Sequence, residues 1–116
     1  MARVVTTEEQ QWASAHLAGF DVEECRLWDQ DNMFAGIFKL PKGFVFPHHA
    51  HRNWVQIFVV SGQIRIDLDG QESRSISAGG YYFVEPGDPH VETVEEDLTA
   101  LVITAEDRSA LNDAFI

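Results

Sequence analysis

From residue 20 onward, short apolar runs alternate with turn residues at intervals of roughly 8–12 residues, a pattern typical of all-β proteins. Asp69-Gly70 is the strongest hairpin signal, because a type I′ turn needs positive φ at both central residues. So many short strands in one domain predict a sandwich or barrel of two packed sheets. The predicted strands span residues 23–29, 33–40, 44–46, 54–60, 63–68, 72–77, 81–84, 91–94 and 98–104.

The first 19 residues have a different pattern. Thr6 or Thr7 stands three residues before Glu9 or Gln10, the spacing of a capping box at the start of a helix. Residues 1–19 are therefore predicted to form a short helix or arm packed on a single domain of residues 20–116.

Charge and composition narrow the classes of function. The 116 residues carry 8 Lys+Arg against 19 Asp+Glu, a formal net charge of −11. Nucleic acids and anionic membrane surfaces need basic patches, so neither is an expected partner. No apolar run approaches the ~20 residues of a membrane span, and the single cysteine, Cys25, cannot form an internal disulfide. These features predict a cytoplasmic domain that binds a small molecule or a protein.

The candidate chemistry lies between residues 43 and 90. His49 and His51 are two residues apart and share a face of a strand, Gln56 opens the next apolar run, and His90 follows a Pro/Gly turn. Three imidazoles and one amide oxygen would suit a divalent ion such as Fe, Ni, Mn or Zn if the strands are neighbours. The alternative is three unrelated surface histidines.

Two stretches carry a family resemblance. Gly43, five residues, His49-Ala50-His51, four residues, Gln56 and then Gly62 resemble the first cupin motif, in which three or four residues separate the histidine pair from a glutamate. Gly79, five residues, Glu85-Pro86-Gly87, two residues and His90 resemble the second. The resemblance implies a double-stranded β-helix, or jelly-roll barrel, with one metal near its open end. It assigns the ligand positions to His49, His51, Gln56 and His90.

Glutamine at the ligand position is a departure from the cupin pattern, because glutamate would bring a negative charge. A neutral amide leaves the ion's charge uncancelled, which favours polarising an oxygen over electron transfer. This ligand set is similar to that of small cupins that linearise unsaturated uronates. Those cupins also use an Asp, a Phe and an Arg near the last strand; Arg108 fits that pattern, whereas Val102 and Thr104 stand in the other two positions.

Alternation along residues 54–60 predicts the other wall of the site. If Gln56 points at the metal, Trp54 and Phe58 line the pocket on the same face. The opposite face, Val55, Ile57 and Val59, is also apolar and would need a cover, so a homodimer is expected. Glu92 shares the parity of His90 and is a candidate partner or base. His16, far from both motifs, is expected to be a packing or surface residue.

Two classes of function remain open. The first is an enzyme whose metal polarises a small oxygenated organic substrate, either as a dioxygenase (an oxidoreductase) or in non-redox isomerase or lyase chemistry. The second is a non-enzymatic cupin module that senses a ligand or metal.

Overall fold

The structure is a computed structural model that describes residues 2–17 and 19–105. This part of the chain contains one 3-10 turn, Thr7–Glu9, followed almost entirely by strands. The strands are β1 (Ala13–Leu17), β2 (Phe20–Gln30), β3 (Met33–Leu40), β4 (Val45–His49), β5 (Val55–Leu68), β6 (Arg74–Ser77), β7 (Tyr81–Val84) and β8 (His90–Thr104). The all-β architecture predicted from the alternation is confirmed.

All strand pairs are antiparallel, and they form two layers that share β5 and β8. In one layer the order is β1-β2-β3, then the second half of β8, the first half of β5, and β7. In the other, β4 and the second half of β5 flank the first half of β8, and β6 follows β5. Two sheets that share bent strands in this way form a jelly-roll barrel.

The two long strands bend between the layers, where the sequence pattern suggested turns. Gly62 has φ +87, and register shifts lie on both sides of it within β5. Such a bulge kinks a strand without ending it. Residues 54–60 and 63–68, predicted as two strands, therefore belong to one strand, β5. In the same way, residues 91–94 and 98–104 both belong to β8.

The core lies between the layers and is built mainly from residues on their inner faces. Phe44, fully buried, stacks edge-on against Phe46 and packs against Phe20. Other buried core members include Phe34, Phe38, Val59, Ile64, Val94 and Leu98. These apolar contacts hold the strands that carry the candidate site.

The described residues of the N-terminal segment contain one helical turn. Thr6 is the N-cap, and Glu9 accepts hydrogen bonds from the backbone N–H and side chain of Thr6 at 3.1 and 2.7 Å, completing the predicted capping box. The next residues extend and pair with β2, Ala13 opposite Glu24 and Leu17 opposite Phe20. The segment thus adds an edge strand to the first sheet.

The type I′ hairpin lies elsewhere than predicted. Asp31 and Asn32 both have positive φ (55 and 59), as a two-residue I′ loop requires, and they join β2 to β3. At the predicted position Gly70 has φ +77, but Asp69 does not have positive φ. A turn with positive φ only at its third residue resembles type II, and the N–H of Gln71 donates to the carbonyl of Leu68 across it.

The prediction that Gln56 and Phe58 lie on the inner face of β5 is wrong. Val55, Ile57 and Val59 are buried, whereas Phe58 and Val60 are 40% and 50% exposed. Both faces of this strand are apolar, so alternation alone cannot choose the inner one.

Among the described residues no helix is long and apolar enough to cross a membrane.

Candidate metal centre

Strand pairing brings the three motif histidines together. His49 is the last residue of β4, and it pairs with His90, the first residue of β8. His51 follows in the loop after β4, where its carbonyl accepts a hydrogen bond from the N–H of Gly87 at 2.9 Å. This bond ties the loop of the first motif to the turn that precedes His90.

Backbone carbonyls orient two of the rings. His49 Nδ1 lies 2.6 Å from the carbonyl oxygen of Pro47, and His90 Nδ1 lies 2.8 Å from that of Asp88. In the tautomer that donates from Nδ1, each Nε2 keeps its lone pair. Metal-ligating histidines are typically held by such a bond from the second ring nitrogen.

The three side chains fit a metal ion. Each offers a ring nitrogen, and these donor atoms lie within 4.8 Å of one another. All three residues are buried, His49 and His90 to 1% exposure and His51 to 8%. His51 Nδ1 and His90 Nε2 make no hydrogen bond, although buried polar atoms normally have partners. A donor cluster of this kind suits a divalent transition metal.

Burial keeps two of the imidazoles neutral. It lowers the pKa of His51 to about 4, helped by the neighbouring His49. Burial also lowers the pKa of His49, against the opposing effects of the Pro47 carbonyl and the Glu92 carboxylate. At neutral pH both rings therefore hold the uncharged form that a metal requires.

A carboxylate lies beside two of the rings. Glu92 Oε1 lies 3.3 Å from His90 Nε2 and 3.5 Å from His49 Nε2. The hydroxyl of Tyr82 donates to the other oxygen, Oε2. Burial alone would raise the pKa of Glu92, but the close approach and charge of His90 hold it below the usual value. Burial and the Glu92 charge raise the pKa of Tyr82, so the phenol stays protonated.

The structure does not bring Gln56 to the histidines. Its neighbours Val55 and Ile57 line the cavity, and the Gln56 amide instead donates to the carbonyl of Tyr82 at 3.4 Å. Counting three residues after His51, as the cupin motif also permits, the glutamate position falls on Val55. An apolar side chain therefore occupies the place of the β5 carboxylate.

The other predicted pocket residues divide between the two faces. Trp54 stacks on Phe83, 5.8 Å between ring centroids, and exposed Phe58 belongs to the outer face with Gln56. Val102 does line the cavity. Thr104 is fully buried, and its hydroxyl donates to the carbonyl of Trp54 at 3.0 Å, a bond that joins β8 to the chain before β5. Arg108 lies outside the described residues.

A cavity of about 210 Å³ opens onto His49, His51 and Glu92. Its walls are mostly apolar, with Phe38, Leu40, Ile64 and Leu98 among them. Two polar lining residues were not anticipated, Glu24 on β2 and His16 on β1. His16 lines the cavity because the N-terminal segment is an edge strand, and its Nδ1 lies 3.1 Å from Asp21 Oδ1. Glu24 could have been found from its parity with buried Val22.

Comparison with known proteins places this barrel and histidine cluster among the cupins. The family model for the ChrR cupin-like domain matches residues 1–109, and the chain belongs to that family. A search of the curated proteins finds no significant match.

Solved structures share the fold. KdgF from Halomonas sp. superposes with a TM-score of 0.76 at 21% identity, covering 94% of this chain and 99% of that one. An RmlC-like cupin from Shewanella frigidimarina gives 0.76 at 20% identity, covering 96% of each chain. A predicted oxalate decarboxylase from Thermotoga maritima gives 0.73 at 22% identity, covering 88% and 97%. At these identities the likeness establishes the fold.

Proposed function

We propose that the protein is a metal-dependent enzyme acting on a small oxygenated organic molecule bound in the barrel cavity. The observation that carries this proposal is the convergence of three buried histidine donors beside that cavity. Such an ion, when bound, would supply Lewis acidity toward a carbonyl, enol or hydroxyl oxygen. The chemistry is either that of a dioxygenase or a non-redox isomerase or lyase step.

The protein's own residues set the conditions for that chemistry. His49 and His51 are neutral donors at neutral pH, and the Pro47 carbonyl orients the ring of His49. The mostly apolar walls lower the polarity of the cavity, which strengthens electrostatic interactions inside it. The Tyr82 phenol stays protonated and donates a hydrogen bond to Glu92.

Cavity size and charge limit the substrate class. A volume of about 210 Å³ is below the roughly 300–1,000 Å³ of pockets that bind drug-sized ligands, so the substrate is small. Glu24 and Glu92 both line the cavity, and its described lining contains neither lysine nor arginine. With a net charge of −11 on the chain, this environment selects neutral or at most singly charged molecules over polyanions.

The test is metal content followed by oxygen uptake. Protein purified without added metal is analysed for its elements, together with His49→Ala and His48→Ala. His48 is a matched control because it is adjacent in sequence but more than half exposed, with Nε2 3.1 Å from Asp69 Oδ2. We expect near-stoichiometric metal in the wild type and in His48→Ala, and loss in His49→Ala.

The outcomes separate the alternatives. Iron with substrate-dependent oxygen uptake supports the dioxygenase, whereas nickel, zinc or manganese with turnover but no oxygen uptake supports the non-redox enzyme. Metal that binds without turnover of any small oxygenated compound favours the sensing module instead. Protein that takes up no metal above pH ~7, where His49 and His51 are neutral, contradicts the proposal.

A further inference from the structure

One ligand position of the cupin motif is filled by a side chain that cannot bind a metal. Val55 is 3% exposed and lines the cavity where the β5 glutamate is expected. Gln56, the nearest residue with a ligating oxygen on β5, belongs to the opposite face. Strand β5 therefore brings no carboxylate to the cluster.

A carboxylate reaches the same place from another strand. Glu92 is 8% exposed, two residues after His90 on β8, and its side chain faces the same interior. Its Oε1 lies 3.5 Å from His49 Nε2 and 3.3 Å from His90 Nε2. We propose that Glu92 is the acidic metal ligand of this protein and substitutes from β8 for the carboxylate missing on β5. This inference rests on the proposed metal site.

The distances agree with shared coordination. Two donor atoms bound to one ion at about 2.0–2.2 Å lie about 2.8–3.6 Å apart when the geometry is tetrahedral or the donors are adjacent in an octahedron. Both Glu92–histidine separations fall in this range. Glu92 Oε1 therefore lies at a distance from each of the two ring nitrogens that is compatible with a shared ion.

Tyr82 is a positioning residue for this carboxylate. It lies on β7, and its hydroxyl donates to Oε2, which leaves Oε1 directed at the two histidines. Partners of this kind orient ligands and usually contribute 10–100-fold to metal affinity. The carboxylate also changes the charge of the centre, because one negative ligand reduces the effective charge of a divalent ion from +2 to +1.

The experiment measures zinc affinity of the full chain by competition with a chelator of known affinity. Glu92→Gln keeps the shape of the side chain and removes its charge. Its matched control is Glu96→Gln, the same change on the same strand at an exposed side chain. We expect affinity to fall more than about 100-fold in Glu92→Gln and about 10-fold or more in Tyr82→Phe, with Glu96→Gln unchanged.

A second variant separates ligation from a purely structural role. Val55→Glu combined with Glu92→Gln returns a carboxylate to the β5 position, and we expect it to recover zinc affinity to within about 10-fold of the wild type. Near-UV circular dichroism checks that each variant is folded. A Glu92 side chain that only stabilised the fold would not be replaced by a carboxylate on another strand.

Two results would overturn the assignment. In the first, Glu92→Gln binds zinc within threefold of the wild type, which leaves the three-histidine site intact and removes only Glu92 from it. In the second, Glu92→Gln loses zinc and the folded double variant does not recover it. Wild-type protein that binds no zinc or other divalent metal refutes the proposed function itself, and the inference with it.

Discussion

Burial of His51 should make the metal-free protein sensitive to mild acid. The pKa of this imidazole is lowered from 6.5 to about 4 by burial, with a smaller contribution from His49. In the unfolded chain the ring titrates near 6.5, so between pH 6.5 and pH 4 the unfolded state binds a proton that the folded state does not. Stability therefore falls as pH falls through this window, and the effect is absent above pH 6.5.

The size of the effect follows from the shift. A difference of about 2.5 pKa units corresponds to about 3.4 kcal/mol once pH is below both values, and to about 3 kcal/mol at pH 4. Domains are typically stable by 5–15 kcal/mol, so this single group would account for a large share. His49, whose pKa is also lowered by burial, acts in the same direction.

The assay compares wild type with His51→Gln, both stripped of metal, by urea unfolding at pH 7, 6, 5 and 4. Glutamine keeps a polar side chain but cannot titrate, so the variant lacks this contribution. The stability of the wild type relative to His51→Gln should fall by about 3 kcal/mol between pH 7 and pH 4. His48→Gln, at an exposed ring, should follow the wild type. A difference between wild type and His51→Gln that stays constant across this range would refute the reasoning.

Two further substitutions test the bend in β5 and the outer face. Gly62→Ala should lower the free energy of unfolding by at least about 2 kcal/mol, because a Cβ would lie 2.1 Å from the carbonyl oxygen of Asp97. Gly79 also has a positive φ but has open space around it, so Gly79→Ala should lower the free energy of unfolding by only about 1 kcal/mol. Urea unfolding measures both. If Gly79→Ala is as costly as Gly62→Ala, steric contact is not the cause. The homodimer remains a prediction, now placed on the exposed apolar face of β5 and β7: Phe58→Glu should shift a dimer to a monomer in light scattering, and a monomeric wild type would contradict it.

Strand ends were predicted best where an apolar run stops at an unambiguous turn. Strand β3 and strand β7 were predicted with the bounds observed, because apolar runs there end at clear turns. Strands β5 and β8 were each divided in two, since Ser61-Gly62 resembles a turn and the acidic residues 95–97 interrupt the apolar pattern before Leu98. A bulged glycine and a turn glycine have the same local signature, and only pairing across the sheet distinguishes them.

The site was predictable to the level of its histidines and less so beyond them. His49, His51 and His90 were identified by spacing, and the structure places them together. The inner face of β5 could not be inferred because valine and isoleucine alternate with apolar residues of the outer face. Glu92 had the parity of His90, but its bond from Tyr82 depends on three strands that meet only in the folded barrel.

The ribbon formed by β5 and β8 also has a kinetic consequence. Leu68 pairs with His90 at its near end, whereas Val55 pairs with Thr104 at its far end, so the chain length enclosed grows steadily along the ribbon. Closing the shorter loop costs less entropy, so the Leu68–His90 end of the ribbon is expected to pair first and the Val55–Thr104 end last. Folding should therefore be slow, as is usual for barrels rich in distant pairings, and His90 should be in place before the far end of the barrel closes.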